Sequence, residues 1–345
     1  MTVTAPEAPA AEASKADGTR LVDRVFKMRE LAILLVFLVM IGITQAGNSE
    51  FLSEQGIKDL LLNATILILV ATGQSLVVIT RNVDLSVGST LGISAFAAGV
   101  YLQGGGNPVV AVVLAVLLGI GFGLLNGLLV SLGQVPALVV TLGTLYIIRG
   151  IDSIWVGSRQ ITAADLPEGF VDFGSGGLSA VPWLAMIALV VLVATAYYLK
   201  QYGSGRELYA LGSNPEAARL AGIPVRKRIL LAYTFCGALA GLAGALYLAR
   251  FGNVDSGTGN GYELTVVSAV VVGGVVFTGG SGSVYGAALG ALLLTSINSV
   301  LPALGVSSVW VLAINGILLL LAIAVDRVVA LRVASALKKR NARHA

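Results

Sequence analysis

The chain of 345 residues has one histidine, His344, and one cysteine, Cys236. The histidine is the penultimate residue, which removes most hydrolase triads, histidine metal sites and histidine proton relays. The cysteine lies inside an apolar stretch, which excludes a disulfide framework and a cysteine metal site. Charge is scarce as well. Asp, Glu, Lys and Arg make up 12% of the residues, and a soluble domain of this length would need about twice that fraction. No Ser/His, paired-Asp or metal-ligand constellation occurs, so little chemistry is left to assign to an enzyme. The glycine-rich turn Thr278-Gly279-Gly280-Ser281-Gly282-Ser283 lacks the Gly-Lys-Ser/Thr ending of a phosphate-binding loop, and that ending occurs nowhere else. It reads as a tight interhelical turn.

What the chain has instead is long apolar runs, with a mean hydropathy of +0.89. Ten stretches, at about 30–46, 59–80, 87–103, 108–131, 136–156, 180–199, 229–250, 262–278, 284–302 and 308–326, are near the length that crosses a hydrocarbon core. Alternating sides from Leu31, the basic residues collect on one face. They are Lys15, Arg20, Arg24, Lys27 and Arg29 at the N-terminus, and Lys200, Arg206, Arg219, Arg226, Lys227 and Arg228 in a central loop. The C-terminal segment adds Arg327, Arg332, Lys338, Lys339, Arg340 and Arg343. The positive-inside rule makes that face cytoplasmic. The opposite loops hold mainly Lys58, Arg159 and Arg250, with Glu50, Glu54, Asp165, Glu168, Asp172 and Asp255. Orientation thus explains the net charge of +4 without nucleic acid.

The expected fold class is therefore all-α: a polytopic membrane helical bundle of about ten transmembrane helices with both termini cytoplasmic. Residues 1–29 read as a disordered cytoplasmic tail, since the first 19 are rich in Ala, Glu and Pro. Residues 30–327 form the membrane domain, with a cytoplasmic loop at 200–228, and 328–345 form a basic cytoplasmic tail. A secretory signal over 20–46 ending at Ala46 is the competing reading, but the tail before it is too long for a typical n-region. Small residues recur four apart at Gly119, Gly123 and Gly127, at Gly237 and Gly241, and at Gly282, Gly286 and Gly290. That spacing lets helix backbones approach closely, either within one protomer or at a dimer seam. The segments starting at Asp84 and Thr278 echo one another, each a turn opening a small-residue helix, as duplicated transporter halves do.

Three sets of residues carry the functional reading. In the central loop, Asn214 suits an N-cap, Pro215 the first helical position, Glu216 the positive end of the helix dipole and Gly222 the C-terminal cap, and Pro224 prevents continuation. So short a helix is marginal alone; Ala217, Leu220 and Ala221 offer an apolar face, resting either on the chain's own membrane domain or on a cytoplasmic partner. Ala218 and Arg219 complete the segment. Second, in Thr80–Ser89, Asp84 or Ser86 can cap the following helix near the cytoplasmic interface, with Arg81 as a candidate partner of Asp84; with Gly88 and Ser89 the segment reads either as a helix-capping turn or as a gating or subunit-contact motif. Third, the spans carry uncharged polar residues: Asn63, Gln74, Asn126, Thr141, Thr144, Asn298 and Asn315. They suit either the path of a neutral polyol-like solute or interhelical bonding. Arg149 and Asp152 sit three apart near a helix end, where a local ion pair is expected.

Five segments resemble the ribose-type permeases of bacterial ABC sugar importers. They are TRNVDLSVGS at Thr80–Ser89, PALVVTLGTLYIIRG at Pro136–Gly150, ALGSNPEAARLAGIPVRKRIL in the central loop, TGNGYEL at Thr258–Leu264 and GGVVFTGGSGSVYG at Gly273–Gly286. They occur in the family's order, and the resemblance covers about residues 30 to 330. The TRN and IRG segments and Asn298–Leu301 (NSVL) look most like the rhamnose and autoinducer-2 permeases. The resemblance implies a permease in the lipid membrane of a bacterium, paired with a second copy or homologue. Two ABC ATP-binding subunits, carrying ATP and Mg, dock below it, and an extracytoplasmic solute-binding protein delivers a sugar. The chain itself then holds no cofactor. The family's coupling helix maps onto Asn214–Gly222, and alternating access is the implied mechanism. The Ala/Pro/Glu-rich N-terminal segment departs from the family pattern. An ion-coupled secondary transporter is the rival, disfavoured because Asp84, Asp152 and Glu263 fall near span ends.

Overall fold

The computed structural model describes residues 31 and 33–303, and isolated positions from 307 to 324. The two terminal tails, Asn315 and the tenth predicted span lie outside the continuous described segment. The described residues are mainly helical: α1 (Ile33–Gly47), α2 (Glu54–Ile79), α3 (Val87–Gln103), α4 (Pro108–Ser131), α5 (Ala137–Val156), α6 (Glu168–Ser175), α7 (Trp183–Gln201), α8 (Gly203–Ser213), α9 (Pro215–Leu220), α10 (Val225–Phe251), α11 (Tyr262–Val272) and α12 (Val284–Ala303). The only sheet among the described residues is a two-stranded hairpin, β1 (Gly177–Leu178) with β2 (Val181–Pro182). Among the described residues six helices, α2, α4, α5, α7, α10 and α12, are long and apolar enough to cross a membrane. The all-α membrane architecture follows, since helices satisfy every backbone group within their own segment.

α2 and α10 form the centre. α10 packs on α4, α3 and α2, and α2 also meets α12, α7 and α11. The outer helices α4, α5 and α7 turn apolar side chains outward, including Val109, Ile147, Ile154 and Val190. In lipid no hydrophobic push holds such helices together, so close backbone approach does the work. A methyl on Gly119 would lie 2.1 Å from the Gly237 carbonyl, and one on Gly123 2.4 Å from the Tyr233 carbonyl. The glycine stripes of α4 and α10 therefore seal these two helices within one protomer, whereas Gly290 packs on Ala269 of α11.

Three expectations change. The predicted span 262–278 is helical only to Val272, because Gly274, Gly279, Gly280 and Gly282 take positive φ and turn the chain back into α12. The central loop 200–228 contains a second helix, α8, that its mixed polarity hid. It shares Asn214 with α9, as the C-cap of one and the N-cap of the other. The opposite loop 157–179 folds into a 3-10 turn at Ala163–Asp165 and α6. There Asp165 bonds the Thr162 amide and hydroxyl and Gln103, which hold its carboxyl below the usual range.

Candidate functional site

α9 forms where its sequence specifies. The Asn214 side chain accepts from the Glu216 and Ala217 amides at 3.1 Å each, Pro215 occupies the first turn, and Gly222 sits at φ +79°. The face it buries is a different one from that expected. Ala218 alone is buried, while Ala217, Glu216, Arg219 and Ala221 are exposed and Leu220 is 90% exposed. One small contact holds the helix, and its larger apolar side chain points away from the fold.

α8 carries α9 and is tied down on three sides. Glu207 pairs with Arg228 of α10 at 2.5 Å. The Tyr209 hydroxyl donates to the Gly282 carbonyl at 3.1 Å, and burial pushes its phenol up to about 12, so it remains a donor at physiological pH. At the C-terminal end, where unpaired carbonyls make the dipole negative, the Arg81 guanidinium donates to the carbonyls of Gly212 and, at 2.7 Å, Ser213. The backbones also meet here. The Gly280 amide donates to the Ile79 carbonyl at 2.9 Å, and a methyl on Gly212 would lie 1.8 Å from that same oxygen. The end of α2, the end of α8 and the α11–α12 turn thus form one junction beside α9.

Arg81 is therefore not the partner of Asp84. Past Arg81, which takes φ +64°, the chain folds back into the bundle. Asp84 is 1% exposed and lies beside Gln74, five residues inside the end of α2, roughly 7 Å along the helix. Its Oδ1 accepts from the Ser86 amide at 2.9 Å and the Ser86 hydroxyl at 2.7 Å, while Asn126 Nδ2 donates to Ser86 Oγ at 2.8 Å. Neither Asp84 nor Ser86 caps α3 through its side chain. In the amide orientation that satisfies both partners, Gln74 donates to the Asp84 carbonyl at 3.3 Å and accepts from its amide at 3.1 Å. The Val83 carbonyl accepts from Tyr233 at 3.1 Å, and the Thr141 hydroxyl, 3.2 Å away, shares its one proton between it and the Ala137 carbonyl at 2.9 Å. Ser89 Oγ donates to the Ser86 carbonyl at 2.9 Å. A broken segment from Val83 to Ser86 is thereby held by side chains of α2, α4, α5 and α10.

α3 and α11 both begin inside this region. A methyl on Gly88 would lie 2.6 Å from the Gly259 carbonyl and 2.5 Å from Glu263 Oε2. The α10–α11 connection therefore descends onto the first turn of α3, where the positive helix end favours the Glu263 carboxylate. Arg149 donates to the Thr258 carbonyl at 2.7 Å and lies 3.9 Å from Asp152, which is fully buried. Asp84 and Asp152 are thus interior, which removes carboxylate position as an argument against ion coupling.

Of the seven polar span residues, Gln74, Asn126 and Thr141 converge on the broken segment, and Thr144 is buried one turn beyond Thr141, bonded to its carbonyl at 3.2 Å. Asn63 and Asn298 are half-buried on α2 and α12, away from that cluster in sequence. Sequence reasoning missed Tyr233, Tyr209 and the Gly212–Gly280 contact. A tyrosine within an apolar helix was the only available signal, since a buried phenol needs an acceptor.

A helical membrane bundle with a helix presented at its basic end and a bonded break inside has the layout of a transport subunit. The sequence matches the family described as "Branched-chain amino acid transport system / permease component" over residues 56–323, and the chain belongs to that permease family. It is 38% identical over 302 residues to the autoinducer 2 import system permease protein LsrC of Enterobacter sp. (strain 638), covering 88% of each chain. It is 37% identical over 295 residues to LsrC of Salmonella typhimurium, covering 85% of this chain and 84% of that one. It is also 37% identical over 301 residues to LsrC of Escherichia coli O157:H7, covering 86% of both. No solved structure matches the chain. The protein is an ABC importer permease of the bacterial inner membrane, a transport subunit rather than an enzyme.

Proposed function

We propose that this permease carries a monosaccharide or similar small polyol into the cytoplasm by alternating access, driven by ATP hydrolysed on separate subunits. Ten spans place both termini in the cytoplasm. ATP and Mg belong to two ATP-binding subunits that dock on α9, a solute-binding protein delivers the cargo on the opposite side, and a second permease copy or homologue completes the path. The observation that carries this reading is α9, a helix fixed at both ends with Leu220 90% exposed on the basic side. An exposed apolar residue on so small a helix suits a cavity in a partner. The names of the relatives, autoinducer 2 import permeases, support a small imported solute.

In the proposed mechanism, movement of the docked ATPases displaces α9 and with it α8. Arg81 and the Ile79–Gly280 contact pass that displacement to the end of α2 and the α11–α12 turn. The broken segment at Val83–Ser86 is the moving part, because its hold is a set of exchangeable hydrogen bonds rather than interlocked backbone. Asn126, Gln74 and Thr141 release it as the path opens.

Buried Asp84 and Asp152 favour one alternative, an ion-coupled carrier of a small neutral solute. Mild-detergent purification of tagged chain from its native membrane, with mass spectrometry of its companions, separates the two. Recovery of an ATP-binding subunit and a solute-binding protein is expected. Folded chain recovered with neither argues for ion coupling.

A further inference from the structure

A membrane-facing groove of about 720 Å³ runs between α7 and the N-terminal half of α10, with α4 and α2 at its back. We propose that it binds an anionic phospholipid, an acyl chain lying in the groove and the phosphate meeting Lys227. The walls are apolar, with Leu76, Leu124, Val191 and Phe235 among them. From Lys227 to Leu239 the groove follows twelve residues of α10, roughly 18 Å of helix, so it is long enough to take a chain. Two of its hydroxyls are spent on their own helices: Thr195 donates to Val191 at 2.7 Å and Thr234 to Leu230 at 2.8 Å. Neither has a proton left to donate to a polar solute.

The remaining polar groups are at the basic end. Lys227 is exposed, and among the described residues no carboxylate pairs with it; Glu207 pairs with Arg228. The Tyr198 hydroxyl, also on the groove wall, is buried without an acceptor. An ammonium and a phenol are both donors, so the missing partner is an anion with several acceptor oxygens, attached to an apolar tail. A phosphodiester at the membrane surface has both parts, and basic pockets between membrane helices are suited to such headgroups. The flanks of the groove present lipid-facing side chains, Leu189, Val190 and Val193 on α7 and Leu117 on α4. A helix from a second copy would fill the apolar part and leave the donors unmet.

Native mass spectrometry of the purified full chain, equilibrated with equal amounts of phosphatidylglycerol and phosphatidylcholine, tests this. The expected result is one retained phosphatidylglycerol per chain in at least several-fold preference. Lys227→Glu, at an exposed position that folding does not use, removes the preference. Ala238→Trp, which fills the groove, abolishes retention of both lipids, and Ala194→Trp on the facing wall serves if the first variant does not fold. Equal retention of the two lipids by the wild type, or unchanged preference in Lys227→Glu, overturns the proposal. So does disulfide formation between Ala238→Cys chains in native membranes, which would show a second copy in the groove.

Discussion

Arg81 and Asp84 are three residues apart and serve opposite sides of one turn. The Arg81 guanidinium reaches outward to the Ser213 carbonyl at 2.7 Å, and the Asp84 carboxylate turns inward to Ser86 at 2.7 Å. Between them the chain passes from the surface junction at α8 to the interior of the bundle. This short path links the presented helix α9 to the broken segment.

The first prediction concerns that path. Arg81→Ala removes a charged donor set whose bonds contribute about 1.5–3 kcal/mol each at most. Hydrogen exchange at Gly212–Asn214 should rise, and in proteoliposomes holding the assembled transporter, solute moved per ATP should fall several-fold. Arg81→Lys recovers part of it, since a single ammonium cannot span both carbonyls as the planar guanidinium does. Unchanged exchange in Arg81→Ala would show that the junction does not depend on this side chain.

Charge reversal on α9 should separate docking from folding. Glu216 and Arg219 are exposed and make no ion pair among the described residues. Glu216→Lys with Arg219→Glu is expected to leave the melting temperature within about 2 °C, as surface changes usually do. The same variant should uncouple ATP hydrolysis from transport. Leu220→Asp should weaken co-purification of the ATP-binding subunit. Normal coupling in both variants would remove α9 from the mechanism.

Two glycines on α4 give an internal control for packing. Gly123→Leu forces atoms into the Tyr233 carbonyl and backbone of α10, whereas a side chain at Gly121 meets nothing within 4 Å. Overpacking costs about 1–3 kcal/mol and more where backbone must move. Folded yield and melting temperature should drop for Gly123→Leu and stay near wild type for Gly121→Leu. Equal behaviour would contradict the seal between α4 and α10.

The Val83 carbonyl accepts from Tyr233 at 3.1 Å and lies 3.2 Å from the Thr141 hydroxyl, whose single proton it shares with the Ala137 carbonyl at 2.9 Å. Thr141→Val alone leaves it bonded to Tyr233, and in Tyr233→Phe the Thr141 hydroxyl turns to it from the Ala137 carbonyl, so each single change should be mild. The double variant strands a buried carbonyl, at about 1–3 kcal/mol. A double-mutant cycle on thermal stability should therefore show coupling, and strict additivity would mean that the two do not share this acceptor.

Acid should loosen the loop at 162–165. The Asp165 carboxyl sits below its usual range because Thr162 and Gln103 donate to its charged form. A depressed folded value means the stabilisation is complete above the ordinary carboxylate pKa and is lost as pH falls through the lower folded one. Hydrogen exchange at Thr162–Leu166 should increase over that acidic window, and Asp165→Asn should flatten the pH dependence. An unaltered profile in Asp165→Asn would assign it to another group.

Sequence by itself determined the helical membrane class, the placement of α3 and α4 to the residue, and both ends of α9. Hydropathy, cap residues and proline act locally, so a run of neighbours suffices to read them. It also supplied the small-residue spacing of α4 and α10, because four-residue intervals place glycines on one helix face wherever the helix goes. Tertiary structure decided what those faces meet. Only the fold shows that Gly123 lies against Tyr233, that Arg81 leaves Asp84 for the end of α8, and that Leu220 rather than Ala218 faces outward on α9. It also decided where α11 stops, since an apolar run does not reveal that glycines at positive φ will turn it back. These are relations between residues 40 to 200 positions apart, or choices among rotations of one short helix. Such choices are settled by the competition of all neighbours for the same donors and the same space, which no local stretch of sequence contains.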